Sequence, residues 1–196
     1  MDVSQAIRER RAYRSLAPLE IDQALVEDLA THAGLSASCF NHQPWRFVFT
    51  YEPRQLRRLH EALSSGNAWA RKASLIVAVA SRRDLDCVVK KRVYYLFDTG
   101  MATALLILRA TERGLVAHPI AGFRESRVKA VLEIPEDMRV ITLVVIGARA
   151  AEIDSELNEK QRTSERQRPA RRALAEFAYE NRYPAPTTER NNGASR

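Results

Sequence analysis

Residues 73–80, Ala-Ser-Leu-Ile-Val-Ala-Val-Ala, form a continuous apolar run in a chain of 196 residues. A strand with one face in water alternates polar and apolar residues, whereas this run carries no charge on either face. The run therefore predicts a strand that is covered on both sides. Residues 140–147, Val-Ile-Thr-Leu-Val-Val-Ile-Gly, have the same character and predict a second central strand.

Shorter periodic segments surround these two runs. The clearest helix has apolar residues at four-residue steps, the spacing of one helix face. The predicted helices are Asp2 to Arg11, Ile21 to Gly34, Pro53 to Leu63 and Glu125 to Leu132, and the further strands are Trp45 to Tyr51 and Leu115 to Ile120. This order predicts a mixed α/β fold in one domain, residues 1–183.

Val93 to Leu108 is the longest stretch with almost no charge, interrupted only by Asp98. It is shorter than the roughly 20 residues that a membrane-spanning helix needs. We expect a helix that ends near Gly114 and is buried on most of its surface, and no membrane partner.

The C-terminal third changes character twice. Ala150 to Pro169 is polar and predicts a connection without packing of its own. Apolar residues then return late in the chain, at Leu174, Phe177, Tyr179 and Tyr183. We therefore expect the arm of residues 171–183 to pack against another surface, and a partner subunit is a candidate. Pro184 to Arg196 predicts a frayed tail.

The net charge of +7 is concentrated near the two chain ends. One basic cluster comprises Arg8, Arg10, Arg11 and Arg14, and the other lies between Lys160 and Arg172. Two small clusters suit a discrete anion as well as a polymer. A nucleic-acid partner ranks last, because the basic runs lack the interleaved aromatic residues that stack on bases.

The cysteines and the N-terminus both favour a cytoplasmic location. Cys39 and Cys87 are far apart and in no metal or redox spacing, so we expect two thiols in a reducing compartment and no metal site. Met1 to Arg14 lacks the apolar segment of a signal peptide.

The sequence motifs of the common catalytic sites are missing. No GxSxG, HExxH, phosphate-loop or GxGxxG pattern occurs, and the four histidines show no metal-ligand spacing. A protein whose chemistry resides in a bound cofactor needs no such set.

Four segments, in this order, carry a resemblance to a known family. They are Arg-Arg-Ala-Tyr-Arg at 10–14, Ala-Ser-Cys-Phe-Asn-His-Gln-Pro-Trp at 37–45, Gly-Leu-Val-Ala-His-Pro-Ile-Ala-Gly-Phe at 114–123, and Arg-Pro-Ala-Arg-Arg at 168–172. From about Ala6 to Tyr183 the chain resembles the nitroreductase family of FMN-dependent oxidoreductases. The resemblance implies an α+β, three-layer α/β/α sandwich with a mixed, mostly antiparallel sheet, in an intertwined homodimer.

The resemblance also implies where FMN is held. Phosphate and ribityl contacts would come from the two basic segments, and Arg14 would lie near the flavin N1/O2 end and stabilise the reduced flavin. Ala12 departs from the family's usual serine, which predicts weaker retention of FMN. The implied cofactor residues are Arg10, Arg11, Arg14, Ala37, Ser38, Cys39, Asn41, Gln43, Asn67, Pro119, Ile120, Ala121, Gly122, Arg168, Arg171 and Arg172.

The implied reaction is ping-pong hydride transfer from NAD(P)H through flavin N5 to a nitroaromatic, quinone or enone. No protein acid or base is assigned. The candidates for the substrate pocket are Phe40, His42 and either Tyr94 or Tyr95. Asn67 would contact the flavin together with Arg71 or Lys72, and the spacing does not decide between those two residues. A flavin-binding protein that stores, delivers or breaks down FMN without general turnover is the alternative. The physiological acceptor and the choice of NADH or NADPH stay open.

Overall fold

The computed structural model describes residues 1–184. The helices are α1 (Val3–Glu9), α2 (Gln23–Gly34), α3 (Pro53–His60), α4 (Tyr95–Glu112), α5 (Glu125–Leu132) and α6 (Glu159–Arg166). The strands are β1 (Leu16–Ala17), β2 (Arg46–Thr50), β3 (Leu75–Ser81), β4 (Val88–Val89), β5 (Arg92–Val93), β6 (Leu115–Ile120) and β7 (Arg139–Arg149). The predicted tail lies outside the described residues, apart from Pro184.

The central sheet has five strands, and all of its pairings are antiparallel. β7 pairs with β3 and β1 and also with β6, and β2 lies beside β3. Every residue of β3 is buried, as the apolar run at 73–80 predicts. A separate hairpin of β4 and β5 precedes α4.

Two apolar cores cover the two faces of the sheet, and successive residues of β3 point into each in turn. Ile76 and Ala78 pack in the core beneath α3 and α5. Leu75 and Val77 pack in the core beneath α2 and α4. The three-layer α+β architecture is therefore confirmed.

Capping explains where several helices begin. The Asp2 and Asp22 side chains accept hydrogen bonds from the first turns of α1 and α2. Gly114 follows α4 with φ of +75°, a left-handed conformation that favours glycine. No helix within residues 1–184 combines the length and the apolar character of a membrane span.

The prediction that residues 150–169 only connect is wrong. This segment contains α6, which begins at an Asn158 capping box completed by Gln161. The only buried residue of α6 is Glu165. An apolar period is therefore absent, and the Asn-x-x-Gln spacing was the one sequence signal for this helix.

Candidate active site

The segment that follows α1 is held against the end of α6. The Arg14 and Ser15 amides donate to the two carboxylate oxygens of Glu165, at 2.7 and 3.3 Å. Arg168 donates to the carbonyls of Arg8 and Arg10, the latter at 2.9 Å. The structure thus brings the two basic chain ends together.

Arg10 and Arg14 project half-buried guanidinium groups from this segment. Within residues 1–184, neither guanidinium makes a side-chain hydrogen bond or an ion pair. Burial lowers the pKa of Arg10, and the charges of Arg168 and Arg171 lower it further. Burial also lowers the pKa of Arg14, opposed by Glu165. Neighbouring positive charges destabilise one another, and a bound anion would remove that repulsion.

Arg11 makes contacts within the chain that the resemblance does not imply. Its guanidinium donates to the carbonyls of Ser164 and Glu165, at 2.7 and 3.2 Å, and lies 4.5 Å from the Tyr13 ring centroid. These contacts attach the N-terminal segment to the last turn of α6. Arg171 and Arg172 are exposed, and the charge of Arg171 lowers the pKa of Arg10.

A stack of two rings lies under Arg14. The Arg14 guanidinium is 5.9 Å from the Trp69 ring centroid, and the Trp69 and His118 rings are 4.7 Å apart. His118 Nδ1 is 2.9 Å from the Tyr13 carbonyl oxygen, so it carries the proton and donates. Burial lowers the pKa of His118 to about 4, with smaller effects of Arg14 and Arg10 in the same direction.

His118 should make the protein acid-sensitive. Because the pKa of His118 is lower in the folded protein, the unfolded chain binds the proton more tightly. The contribution of neutral His118 to the free energy of unfolding is therefore fully present above its unfolded pKa of 6.5, and it is lost as the pH falls towards about 4. We expect the free energy of unfolding to fall by about 3 kcal/mol across this pH range. His118→Asn keeps a hydrogen-bond donor but does not titrate, so the variant should not show this fall. Urea unfolding between pH 7 and 4 measures the difference. The matched control is His32→Asn, and a wild-type curve parallel to that of His118→Asn would contradict the prediction.

The segments around Asn67 and Gly122 meet beside this stack. The Gly122 carbonyl accepts from the Asn67 side chain and from the Ser64 amide, both at 3.0 Å. A Cβ atom on residue 122 would clash with the side chains of Ser64 and Asn67. A side chain at residue 122 would therefore displace Ser64 and Asn67, and Asn67 holds the segment that follows β6.

The other predicted positions near Gly122 and Asn67 differ in their exposure and in their contacts. Ile120 is buried in the core, whereas Pro119 and Ala121 are exposed at the end of β6. Lys72 forms an ion pair with Asp154 at 2.7 Å, which raises the pKa of Lys72 and assigns it a structural role.

The loop of residues 36–45 has an unusual backbone. Phe40, Asn41 and Gln43 have φ of 48°, 59° and 52°, values that L side chains rarely adopt. Clustered outliers of this kind accompany binding sites, where the surrounding structure maintains the strain. The Ser38 hydroxyl accepts from the Gln43 amide at 2.9 Å, and Phe40 is 80% exposed.

The expectation of two free thiols is wrong, because Cys39 and Cys87 form a disulfide with a Cα–Cα distance of 6.1 Å. The cysteine spacing therefore no longer supports a cytoplasmic location. The bond joins the loop to the hairpin before α4, and the Cys39 amide donates to Asp98 at 2.6 Å.

Two candidates for the substrate pocket lie beside this disulfide. His42 Nδ1 is 3.6 Å from a carboxylate oxygen of Asp86, and the Tyr94 amide donates to the Cys87 carbonyl. Tyr95 is half-buried and begins α4. Sequence reasoning missed Asp86, Asp98 and Glu165, since each is defined by contacts distant in the chain.

The loop and the arginine cluster have no direct polar contact within the part of the chain that the structure describes. Among residues 1–184, no hydrogen bond or ion pair joins residues 36–45 to Arg10, Arg14 or Arg168.

Comparison with known proteins gives the family. The family model described as "Nitroreductase family" matches residues 7–82 and 63–148. A relative from Archaeoglobus fulgidus, provisionally named an NADH dehydrogenase/NAD(P)H nitroreductase, is 29% identical over 147 residues, covering 72% of this chain and 82% of its own. A relative from Thermus thermophilus named NADH dehydrogenase is 24% identical over 183 residues, covering 78% and 89%.

Solved structures agree on the fold. A crystal structure described as an oxidoreductase containing FMN has a TM-score of 0.80 at 28% identity and covers 94% of both chains. A nitroreductase family protein from Clostridium difficile has a TM-score of 0.75 at 19% identity, covering 93% of this chain and 100% of its own. The fold and these relatives define an oxidoreductase. The chain belongs to the nitroreductase family.

Proposed function

We propose that the protein binds one FMN per chain and transfers hydride from NADH or NADPH to a small organic acceptor. The observation that carries the proposal is the pair of half-buried guanidinium groups, Arg10 and Arg14, that have no partner within residues 1–184. A half-buried guanidinium group without an ion-pair partner has lost part of its hydration, so an anionic ligand that forms charge-assisted hydrogen bonds with it is stabilised there.

The donor set fits the phosphate of FMN. That group is nearly a dianion, and guanidinium groups bind it through paired, charge-assisted hydrogen bonds. Arg10 lies near the charges of both Arg168 and Arg171, so three cations from the two chain ends share one region. The FMN reported in the similar oxidoreductase structure supports this choice of ligand.

Bound FMN and the arginines around it would have different tasks. Bound FMN would supply the redox chemistry, by accepting hydride from the nicotinamide and then passing it to a nitroaromatic, quinone or enone in a ping-pong cycle. Arg10, with Arg168 and Arg171, would fix the phosphate. Arg14, stacked above Trp69, would stabilise negative charge on the ring system.

We propose that the active protein is a homodimer. α4 exposes Leu96, Phe97 and Leu105, at 43%, 63% and 37%, and the arm of residues 171–183 exposes Leu174 and Phe177. Exposed apolar groups on one helix are typical of a subunit interface. A dimer would also bring the loop of one subunit towards the arginines of the other.

Phe97→Asp is expected to convert the dimer into a monomer and to reduce FMN retention, because a charge would enter the apolar interface. Sedimentation equilibrium gives the mass, and the visible spectrum gives the bound flavin. Ile153→Asp, at an apolar residue 37% exposed outside α4, is the control. A Phe97→Asp protein that stays dimeric would contradict the interface.

Anaerobic stopped-flow spectroscopy tests the reaction. FMN-loaded protein mixed with NADH or NADPH should bleach, and a quinone or nitroaromatic should then restore the flavin colour. Steady-state rates at several fixed acceptor concentrations should give the parallel reciprocal plots of a ping-pong cycle. Flavin that binds but is bleached by neither nicotinamide would overturn the reductase and favour a storage, delivery or breakdown role.

A further inference from the structure

A second cluster of reactive side chains lies outside the arginine site. It comprises Cys39, Asp86 and Cys87, whose sulfur and carboxylate atoms all lie within 4.8 Å of one another, and His42, whose Nδ1 is 3.6 Å from Asp86 Oδ1. The cluster joins the loop of residues 36–45 to the β4–β5 hairpin.

Asp86 is the unusual member of this cluster. Its side chain is fully buried, and Oδ2 has no hydrogen-bond partner within residues 1–184. Oδ1 accepts only the Cys87 amide, at 2.7 Å, within that range. A buried acidic group with an unused oxygen needs a proton or a cation.

We propose that reduction of the Cys39–Cys87 disulfide converts this cluster into a Zn²⁺ site. Its ligands are the two cysteine thiolates, the Asp86 carboxylate and the His42 imidazole. The site contains none of the arginines, but it shares Cys39 and His42 with the loop that the resemblance places at the flavin and the substrate.

The ligand types and their spacing suit zinc. Zn²⁺ takes four ligands from thiolate, imidazole and carboxylate groups in a tetrahedron. Bond lengths of about 2.0–2.3 Å place neighbouring ligand atoms roughly 3.3–3.8 Å apart, so the His42 to Asp86 distance already matches. The ligands come as two close pairs in the chain, Cys39 with His42 and Asp86 with Cys87.

A phosphine can reduce the Cys39–Cys87 disulfide to two thiols. The phosphine attacks one sulfur and the S–S bond breaks; water then supplies the oxygen of the phosphine oxide, and its two protons give two thiols. Zn²⁺ binding releases those thiol protons to solvent, together with the Asp86 proton where it is present. The metal would replace the covalent tether, so the strained loop would be held in both redox states.

Metal binding by the FMN-loaded protein tests the proposal. Protein treated with a phosphine under anaerobic conditions, with thiols counted before and after, is dialysed against Zn²⁺ or titrated with Co²⁺. We expect one ion per chain in the reduced protein and none in the oxidised protein. Cobalt should show the thiolate charge-transfer band and the intense d–d bands of a tetrahedral site.

Variants separate this site from adventitious binding. Asp86→Asn, which keeps the shape and removes the charge, should weaken Zn²⁺ binding by more than about 100-fold, and His42→Ala by about 10- to 100-fold. His32→Ala is the matched control, because His32 also lies beside an aspartate, with Nδ1 3.4 Å from Asp28. It should bind zinc as the wild type does.

Three results would overturn the site. They are a disulfide that resists the phosphine in the folded protein, equal metal binding by the reduced and oxidised forms, and Zn²⁺ affinity unchanged in Asp86→Asn. The last comparison uses a variant that retains both cysteines.

Discussion

Replacing Arg10 by alanine is expected to weaken FMN binding about 100-fold, because two charge-assisted hydrogen bonds to the phosphate contribute about 3 kcal/mol together. Riboflavin, which lacks the phosphate, should bind to Arg10→Ala and to wild type alike. The apo-protein should be no less stable than wild type, since Arg10 has no anionic partner within residues 1–184 and lies near Arg168 and Arg171. Fluorescence titration with both flavins measures the first two effects, and urea unfolding measures the third.

Arg58→Ala is the matched control for Arg10. It removes an exposed guanidinium from α3, where Arg58 contacts only Gln55 within the described residues. Its affinities for FMN and riboflavin should equal those of wild type. If Arg10→Ala retained wild-type affinity for FMN, the phosphate would have to be bound elsewhere.

Glu165→Ala is expected to lower the free energy of unfolding by about 3 kcal/mol, because it leaves the part-buried amide of Arg14 and the buried amide of Ser15 without an acceptor. Glu165 is only 5% exposed and holds the N-terminal segment against α6 through both carboxylate oxygens. Losing this attachment should also free Arg14 from its place above Trp69. FMN affinity should therefore fall together with stability, and both are measured on the same preparation.

Two variants control for the role of Glu165. Glu159→Ala removes an exposed carboxylate from the first turn of the same helix, and its surface ion pairs should contribute less than about 1 kcal/mol. Glu165→Gln keeps one acceptor oxygen and should give an intermediate loss. A Glu165→Ala protein as stable as Glu159→Ala would show that the two amides find other partners.

The core of the fold was predictable because burial leaves a periodic signal. β3 and β7 are buried on both faces and are continuous apolar runs in the sequence, and β6 and α5 have the predicted bounds. α6 left no such signal, since the residue that it buries is a glutamate. Periodicity identifies apolar burial and misses burial that depends on hydrogen bonds.

The candidate site was predictable only in part, for a related reason. The family resemblance implies that the two basic chain ends converge on one phosphate; the contact of Arg168 with the Arg10 carbonyl brings the two ends together, and the shared phosphate stays a prediction. The separate role of Arg11 depends on carbonyls more than 150 positions away. The disulfide joins cysteines 48 positions apart, and no local pattern encodes that pairing.

Equilibrium titration of the wild-type apo-protein with FMN and with riboflavin, followed by flavin fluorescence at low and high salt, tests the arginine site most directly. We predict one FMN per chain, bound at least about 100-fold more tightly than riboflavin, with a preference that shrinks as salt screens the phosphate. Equal affinity for the two flavins, or no binding of either, would contradict the assignment of Arg10 and Arg14 to a bound flavin nucleotide.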